Sequence, residues 1–242
     1  MEYQQVRKGV FYSRPNRFLA EVELEGQRVW CHVKNTGRCR ELLRPGVTVW
    51  CQHHSNPMRK TADSLIAVEK AGQVVNLDSQ APNVVAAEWL AAGGLGAVPY
   101  QLRREVQEGS SRFDFFLQMP EGPMFVEVKG VTLEENGVAR FPDAPTERGT
   151  RHVQHLARLK KKGIGACVLF VIQMERVQLF QPNWRQDPAF SKALWEADKA
   201  GVRVLAVRCR VTPSSTVSYT HLFPETSYHR PHMDKIIRRY GN

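Results

Sequence analysis

The sequence predicts a mixed α/β chain made of a small all-β unit, a larger unit of alternating strands and helices, and a polar tail. Three observations predict it. Residues 17 to 80 hold five short apolar runs separated by turn residues. Residues 98 to 211 alternate strand-like with helix-like segments. After residue 211 the apolar periodicity stops. The expected units are therefore 1–81, 82–211 and 212–242.

In the first unit, Phe18 to Leu24 alternates apolar and polar residues and is broken by Glu25-Gly26. Arg28 to Val33 follows, and Pro45-Gly46 precedes Val47 to Cys51. Ser64 to Glu69 and Val74 to Leu77 complete a set that suits a small barrel or sandwich. Between the units, Asn83 is the expected cap of a helix running through Ala86, Ala87, Trp89 and Leu90 to Gly93-Gly94.

In the second unit, Arg112 to Gln118 and Met124 to Lys129 read as a hairpin around Pro120 to Pro123. Thr146 caps a helix that ends in Lys160-Lys161-Lys162 and Gly163, where cations suit the helix dipole. Ala166 to Ile172 is a buried strand. Asp187-Pro188 opens another helix, Gly201 ends it, and Val202 to Val207 is the next strand. The tail is polar and reads as loosely ordered, with His221, His229 and His232 scattered along it without ligand spacing.

Composition narrows the partners. The chain has 34 Lys and Arg against 24 Asp and Glu, a net charge of +10. That excess favours a polyanion such as DNA, because cationic side chains displace counterions from phosphates. Five widely spaced cysteines without a C-x-x-C pair argue against a zinc ribbon and a paired disulfide framework. The first residues carry no apolar leader, and no run approaches the ~20 apolar residues of a membrane span. A cytoplasmic protein is expected.

One constellation points to chemistry. Glu127 and Lys129 are two apart on a strand and share a face. If residues 120–123 form a four-residue loop, Met119 pairs with Met124 and Asp114 falls opposite Lys129, on the face of Glu127. Phe113, Phe115 and Leu117 are then the apolar set of that strand. Two carboxylates can hold Mg²⁺ or Mn²⁺, and a lysine beside them can steady a water or the charge on a phosphate. A bare cross-strand ion pair on a solvated face has the same spacing.

Basic residues gather elsewhere. Arg28, Lys34, Arg38, Arg40 and Arg44 are interleaved with Trp30 and His32, a pattern suited either to phosphates and stacked bases or to a core Trp30 with a solvated rim. Asn35-Thr36-Gly37 reads as a turn whose glycine lets a phosphate approach. Asp143, Thr146, Glu147, Arg148 and His152 surround a helix N-terminus, a natural anion site that ordinary capping also explains.

The ordered motifs Arg17-Phe-Leu-Ala20, Val33-Lys-Asn-Thr-Gly37, Ser111-Arg-Phe-Asp-Phe115, Val126-Glu-Val-Lys129 with Val131-Thr-Leu133, Phe141-Pro-Asp-Ala144, Thr146-Glu-Arg-Gly149 and His152 resemble the sugar fermentation stimulation protein A family over residues 5 to 211. The resemblance implies an OB-like barrel followed by a PD-(D/E)-x-K nuclease-like α/β domain, with mostly sequence-independent DNA binding. It makes Asp114 the motif aspartate and Glu127 and Lys129 the E-x-K pair, with Phe113 where the motif has proline. Related nuclease folds add a carboxylate, for which Glu88 and Glu105 are the candidates. Arg17, Arg28, Lys34, Asn35, Arg38, Arg40, Arg148 and His152 are the DNA-contact candidates. Three functions stay open, the first two being a metal-dependent deoxyribonuclease and a non-catalytic DNA-binding regulator linked to sugar use. A nucleotide-binding protein on a relic nuclease fold is the third.

Overall fold

The computed structural model describes residues 1–218 apart from 36 and 38. Thr36, Arg38 and the tail from 219, with its three histidines, lie outside the described residues.

The first domain is a barrel. Strands β1 (Val6–Ser13), β2 (Leu19–Leu24), β3 (Gln27–Val33), β4 (Thr48–His53) and β5 (Asp63–Lys70) pair in the order β3-β2-β1-β4-β5. A parallel pairing of β3 with β5 closes the ring, and β6 (Gln73–Asn76) extends β5 as a hairpin. This five-stranded closed barrel is the OB architecture. Strand alternation fills it: Ala20, Val22, Leu24, Cys31 and Val33 point inward. Trp30, on the opposite face, is 51% exposed, so it is not a core residue. The sequence reading missed β1, whose VRKGVFYS run breaks apolar alternation with Arg7, Lys8 and Gly9.

Helix α1 (Ala81–Ala91) leads into the second domain. The domain's main sheet contains β7 (Gln101–Glu108), β8 (Ser111–Met119), β9 (Gly122–Val131), β12 (Gly165–Ile172), β14 (Arg203–Thr212) and β15 (Ser215–Ser218), in the order β15-β14-β12-β9-β8-β7. The central β9, β12 and β14 run parallel, and the flanking pairs are antiparallel. A small sheet of β10 (Leu133–Glu135), β11 (Val138–Phe141) and β13 (Leu179–Pro182) lies beside it. Helices α2 (Glu147–Lys161) and α3 (Pro188–Lys199) cover one face through Val153, Leu156, Phe190 and Leu194. Helix α1 covers the other through Val85, Ala86, Trp89 and Leu90. The edge strand β7 escaped the sequence reading because QLRREVQE is charged and mostly exposed.

Two helix starts follow the expected caps. Thr146 Oγ1 accepts from Gly149 N at 3.1 Å, and Asp187 Oδ1 accepts from Phe190 N at 2.9 Å. The third does not. Gln80, not Asn83, occupies the N-cap of α1, and Pro82 sits in the first turn, where its missing N–H costs nothing.

The two domains share polar and apolar contacts. Asn76 Nδ2 donates to Tyr3 Oη at 2.9 Å and to Thr216 Oγ1 at 2.8 Å. Gln173 Nε2 donates to Asn76 O at 3.0 Å and Asp78 O at 3.1 Å. Thr216 is fully buried and its N–H donates to Met1 O at 3.0 Å. A loose tail from 212 is therefore corrected for its first residues: β15 pairs with β14, and Thr216 is locked into the inter-domain network. All five cysteines are buried thiols. Among the described residues no helix is long and apolar enough to cross a membrane.

Candidate functional site

The β8–β9 hairpin carries the acidic pair, in a register different from the expected one. Met119 pairs with Gly122, not Met124, and the turn contains only Pro120 and Glu121. Gly122 takes the turn's positive φ of 124°. Continuing the register brings Asp114 level with Glu127 and not with Lys129. The difference is two residues, and an even slip keeps every side chain on its face. Backbone pairing between β8 and β9 ends at Phe115 and Val126. Beyond that point the Asp114 carboxylate replaces the ladder, its Oδ2 accepting from Val128 N at 2.7 Å. Phe113 is thereby separated from Phe115 and Leu117: it packs with the α2-side core against Phe125 and His152, while they pack on the α1 side.

Asp114 is held by the neighbouring strand and by α1. Its Oδ1 accepts from Asn83 Nδ2 at 2.9 Å, so the residue expected to cap α1 instead steadies a candidate catalytic carboxylate. Burial and the neighbouring charge of Glu127 raise the Asp114 pKa, against the lowering pull of the Val128 and Asn83 bonds and of Lys129.

Glu127 is 4% exposed. Its Oε1 accepts from Lys129 Nζ at 2.6 Å and meets His152 Nδ1 at 2.7 Å. Its Oε2 is buried with no hydrogen-bond partner. Burial works against ionisation, yet the His152 bond and the Lys129 charge more than offset it and hold Glu127 below the ordinary carboxylate range. The constellation is thus a buried cluster in which Lys129 pairs with Glu127, not a solvated cross-strand pair of Asp114 with Lys129.

Helix α2 supplies His152 because His152, Val153, Leu156 and Leu159 form its buried stripe. His152, one of the expected DNA-contact residues, is 7% exposed, and its Nδ1 is turned onto the Glu127 carboxylate. That stripe, visible in the sequence, was the signal that could have moved His152 inward. Arg148, one turn earlier, is exposed.

Neither candidate extra carboxylate joins the pair. Glu88 lies on the exposed side of α1 and binds the Met1 amine at 3.1 Å, while Glu105 pairs with Arg112. Among the described residues no group of three or more His, Cys, Asp or Glu side chains could hold a metal ion. An ion here would rest on Asp114 and Glu127, and the unpartnered buried Oε2 of Glu127 is an oxygen that a divalent cation would satisfy.

The remaining DNA-contact candidates are spread over the barrel. Arg17 is exposed, its guanidinium 5.0 Å from the Phe18 ring centroid. Arg28 is exposed over Tyr12 at 3.9 Å, and Arg40 is exposed. Lys34 is committed to Asp78 at 3.1 Å. Asn35 Oδ1 accepts from Gly37 N at 2.7 Å, which forms the expected turn. The open side of Gly37 is bounded by Asp143 Oδ2, 3.1 Å from where a Cβ would stand, so a carboxylate rather than vacant backbone faces this turn.

A cleft of about 250 Å³ is lined by Asn35, Gly37 and Ser79 of the barrel side and by Gly130, Arg140 and Asp143 of the second domain. Gly130 follows Lys129, and a Cβ there would stand 2.6 Å from Pro82 Cγ and 2.6 Å from Gln173 Oε1. Its missing side chain lets α1 start close against β9, which brings Asn83 to Asp114.

Comparison with known proteins agrees with the two-domain fold. Residues 13–77 match the family model of the SfsA N-terminal OB domain, and residues 80–215 match that of the sugar fermentation stimulation protein RE domain. A sugar fermentation stimulation protein homolog of Desulfitobacterium hafniense (strain Y51) is 51% identical over 215 residues, covering 89% of this chain and 94% of the relative. One from Ruminiclostridium cellulolyticum is 48% identical over 211 residues, covering 87% and 93%. A solved structure described as "The structure of Pyrococcus Furiosus SfsA in complex with Ca2+" has a TM-score of 0.78 and 28% identity, covering 90% of this chain and 95% of that one.

Proposed function

We propose that this chain, which belongs to the sugar fermentation stimulation protein family, is a DNA-binding protein with a divalent-metal-dependent phosphodiesterase site at Asp114, Glu127 and Lys129. One observation carries the reading: Glu127 Oε2 is a buried carboxylate oxygen without a partner, beside the half-buried carboxylate of Asp114, whose pKa the Glu127 charge helps to raise. Such an arrangement is costly unless a cation completes it. The Pyrococcus furiosus relative is described as a complex with Ca²⁺, which supports divalent-cation binding by this fold.

Asp114 and Glu127 would hold Mg²⁺ or Mn²⁺. When bound, that ion supplies Lewis acidity towards a phosphoryl oxygen and a bound water of lowered pKa. The protein's own share is orientation. Asn83 and Val128 fix Asp114, while Lys129 and His152 fix Glu127 through one oxygen and leave the other free. Lys129 offsets part of the carboxylate charge, and its ammonium is suited to meet negative charge growing on a phosphate. The net charge of +10 favours DNA without sequence preference.

The test is a cleavage assay on single-stranded, duplex and supercoiled DNA with Mg²⁺ and Mn²⁺, run on the parent, Asp114→Asn and Lys129→Ala. Parent-only cleavage is expected. Cleavage that survives in both variants assigns the activity to another site. A second reading, a DNA-binding regulator linked to sugar use without cleavage, is favoured by the lack of a third ligand side chain among the described residues. Metal binding without cleavage of any substrate selects it.

A further inference from the structure

A second cleft, of about 640 Å³, opens on the barrel side and is lined by Phe18, His32, Lys34, His54, Arg59 and Lys60, with Ser79 and Gln80 at its far edge. Its size is that of a site for a small ligand. Its cationic wall is built, not incidental. The hydroxyl of fully buried Ser64 meets both His54 Nε2 and Arg59 Nη2 at 3.0 Å, and Arg59 Nε donates to Thr61 O at 3.3 Å. Of the nearby acids, Asp78 holds the lining residue Lys34 and the Tyr3 hydroxyl, and Asp63 holds Arg7 and contacts His53, so the phosphate-facing cations of this wall are Arg59 and Lys60. At the rim, Phe18 is 49% exposed. Trp30, two residues before His32 on the same outer face of β3, is also half-exposed.

We propose that this cleft seats one nucleotide of an unpaired DNA strand, with the phosphate against His54, Arg59 and Lys60 and the base against Phe18. The proposal rests on the nucleic-acid reading above but not on cleavage. An unpaired strand is required because only unstacked bases offer their faces to aromatic side chains, and a concave cleft of this size does not admit a duplex. Ser79 lines both clefts, and α1, which begins beside it, carries Asn83 to Asp114. A strand held here therefore continues along the start of α1 towards the acidic pair.

The histidines add a proton linkage. Burial, followed by the charges of Arg59 and Lys34, holds both His32 and His54 below the ordinary imidazole range, with Asp78 opposing at His32 and Asp63 at His54. The groups facing them are thus Arg59, Lys34, Lys60, His53, Asp63 and Asp78, with the positive charges in excess. A phosphate entering this field favours the protonated rings, so binding takes up protons and weakens as pH rises through the imidazole range.

The test is fluorescence anisotropy of a labelled twelve-nucleotide oligothymidylate and of a duplex of equal length, in EDTA, with full-length protein. The parent binds the single strand more tightly. Phe18→Ala, at a half-exposed position that spares the core, weakens single-strand binding about tenfold and leaves duplex binding unchanged, as expected for one lost base stack. The double variant Arg59→Ala/Lys60→Ala weakens it further and flattens the pH dependence, while Lys192→Ala, at an exposed position of α3, changes nothing. Equal losses on both DNA forms, unchanged binding in the cleft variants, or thymidine monophosphate binding as tightly as the oligonucleotide would each overturn the proposal. Binding in EDTA does not depend on a metal, so loss of cleavage with single-strand binding intact defeats the cleavage reading alone, and loss of the single-strand preference defeats the cleft.

Discussion

His152 and Glu127 stand 25 residues apart in the chain and 2.7 Å apart in the fold, and the bond between them consumes the one Glu127 oxygen that Lys129 also holds. The histidine thereby decides which oxygen remains free.

Removing that bond should loosen the carboxylate's hold on its charge. His152→Ala is expected to raise the Glu127 pKa towards the ordinary range, because the lowering hydrogen bond is gone. Protons then compete with metal at higher pH. Mn²⁺ titration calorimetry between pH 5 and 8 should show the half-binding pH moving upward, with partial recovery in His152→Gln. An unmoved midpoint would reduce His152 to a packing role.

The carboxylates and the lysine should separate in a metal assay. Asp114→Asn and Glu127→Gln are expected to abolish the rise in Tm with millimolar Mn²⁺, since each removes a ligand charge. Lys129→Ala should keep that rise. Without metal, Asp114→Asn should stay within about 1 kcal/mol of the parent, because relief of carboxylate repulsion offsets one weakened hydrogen bond. Equal metal-induced stabilisation in all four proteins would remove the acidic pair from metal binding.

Acid unfolding should show opposite contributions from the two carboxylates. The folded-state pKa of Glu127 is depressed, so its stabilisation is present above the unfolded value and is lost as pH falls through the folded one. The folded-state pKa of Asp114 is raised, so its ionisation opposes folding and protonation relieves the strain as pH falls. Denaturant titrations from pH 7 to 3 should therefore give Glu127→Gln a shallower acid-side loss than the parent, and Asp114→Asn a steeper one. The same slope in both variants would contradict the assigned shifts.

Thr216 offers a test of the domain junction. Thr216→Val leaves Asn76 Nδ2 with one partner fewer in a fully buried site, which costs about 1–3 kcal/mol. Truncation after Thr212 removes β15 and should cost more. A chemical-denaturation midpoint unchanged by Thr216→Val would show that Tyr3 alone satisfies Asn76.

DNA affinity should depend steeply on salt and weakly on sequence. Charge reversal at exposed Arg40 and Arg148 is expected to weaken all sequences alike and to reduce the slope of log K against log salt by about one per lost phosphate contact. A preference of several orders of magnitude for one short site would refute this.

Much of this was legible from residue patterns alone. Alternation in Phe18 to Leu24 and Arg28 to Val33 foretold barrel strands, since burial on one face imposes period two. Thr146 and Asp187 marked helix starts because a side-chain oxygen must satisfy the first free N–H groups. The shared face of Glu127 and Lys129 followed from their spacing. The tertiary structure alone decided the rest. Whether two or four residues turn the hairpin is a contest of local geometries that the string Pro120 to Pro123 leaves open, and it sets Asp114 level with Glu127. Asn83, which reads as a cap, became a partner of Asp114 because Gly130 lets α1 approach β9. His152 turned inward for the same kind of reason: sheet and helix had first to pack before a carboxylate 25 residues away could become its nearest acceptor.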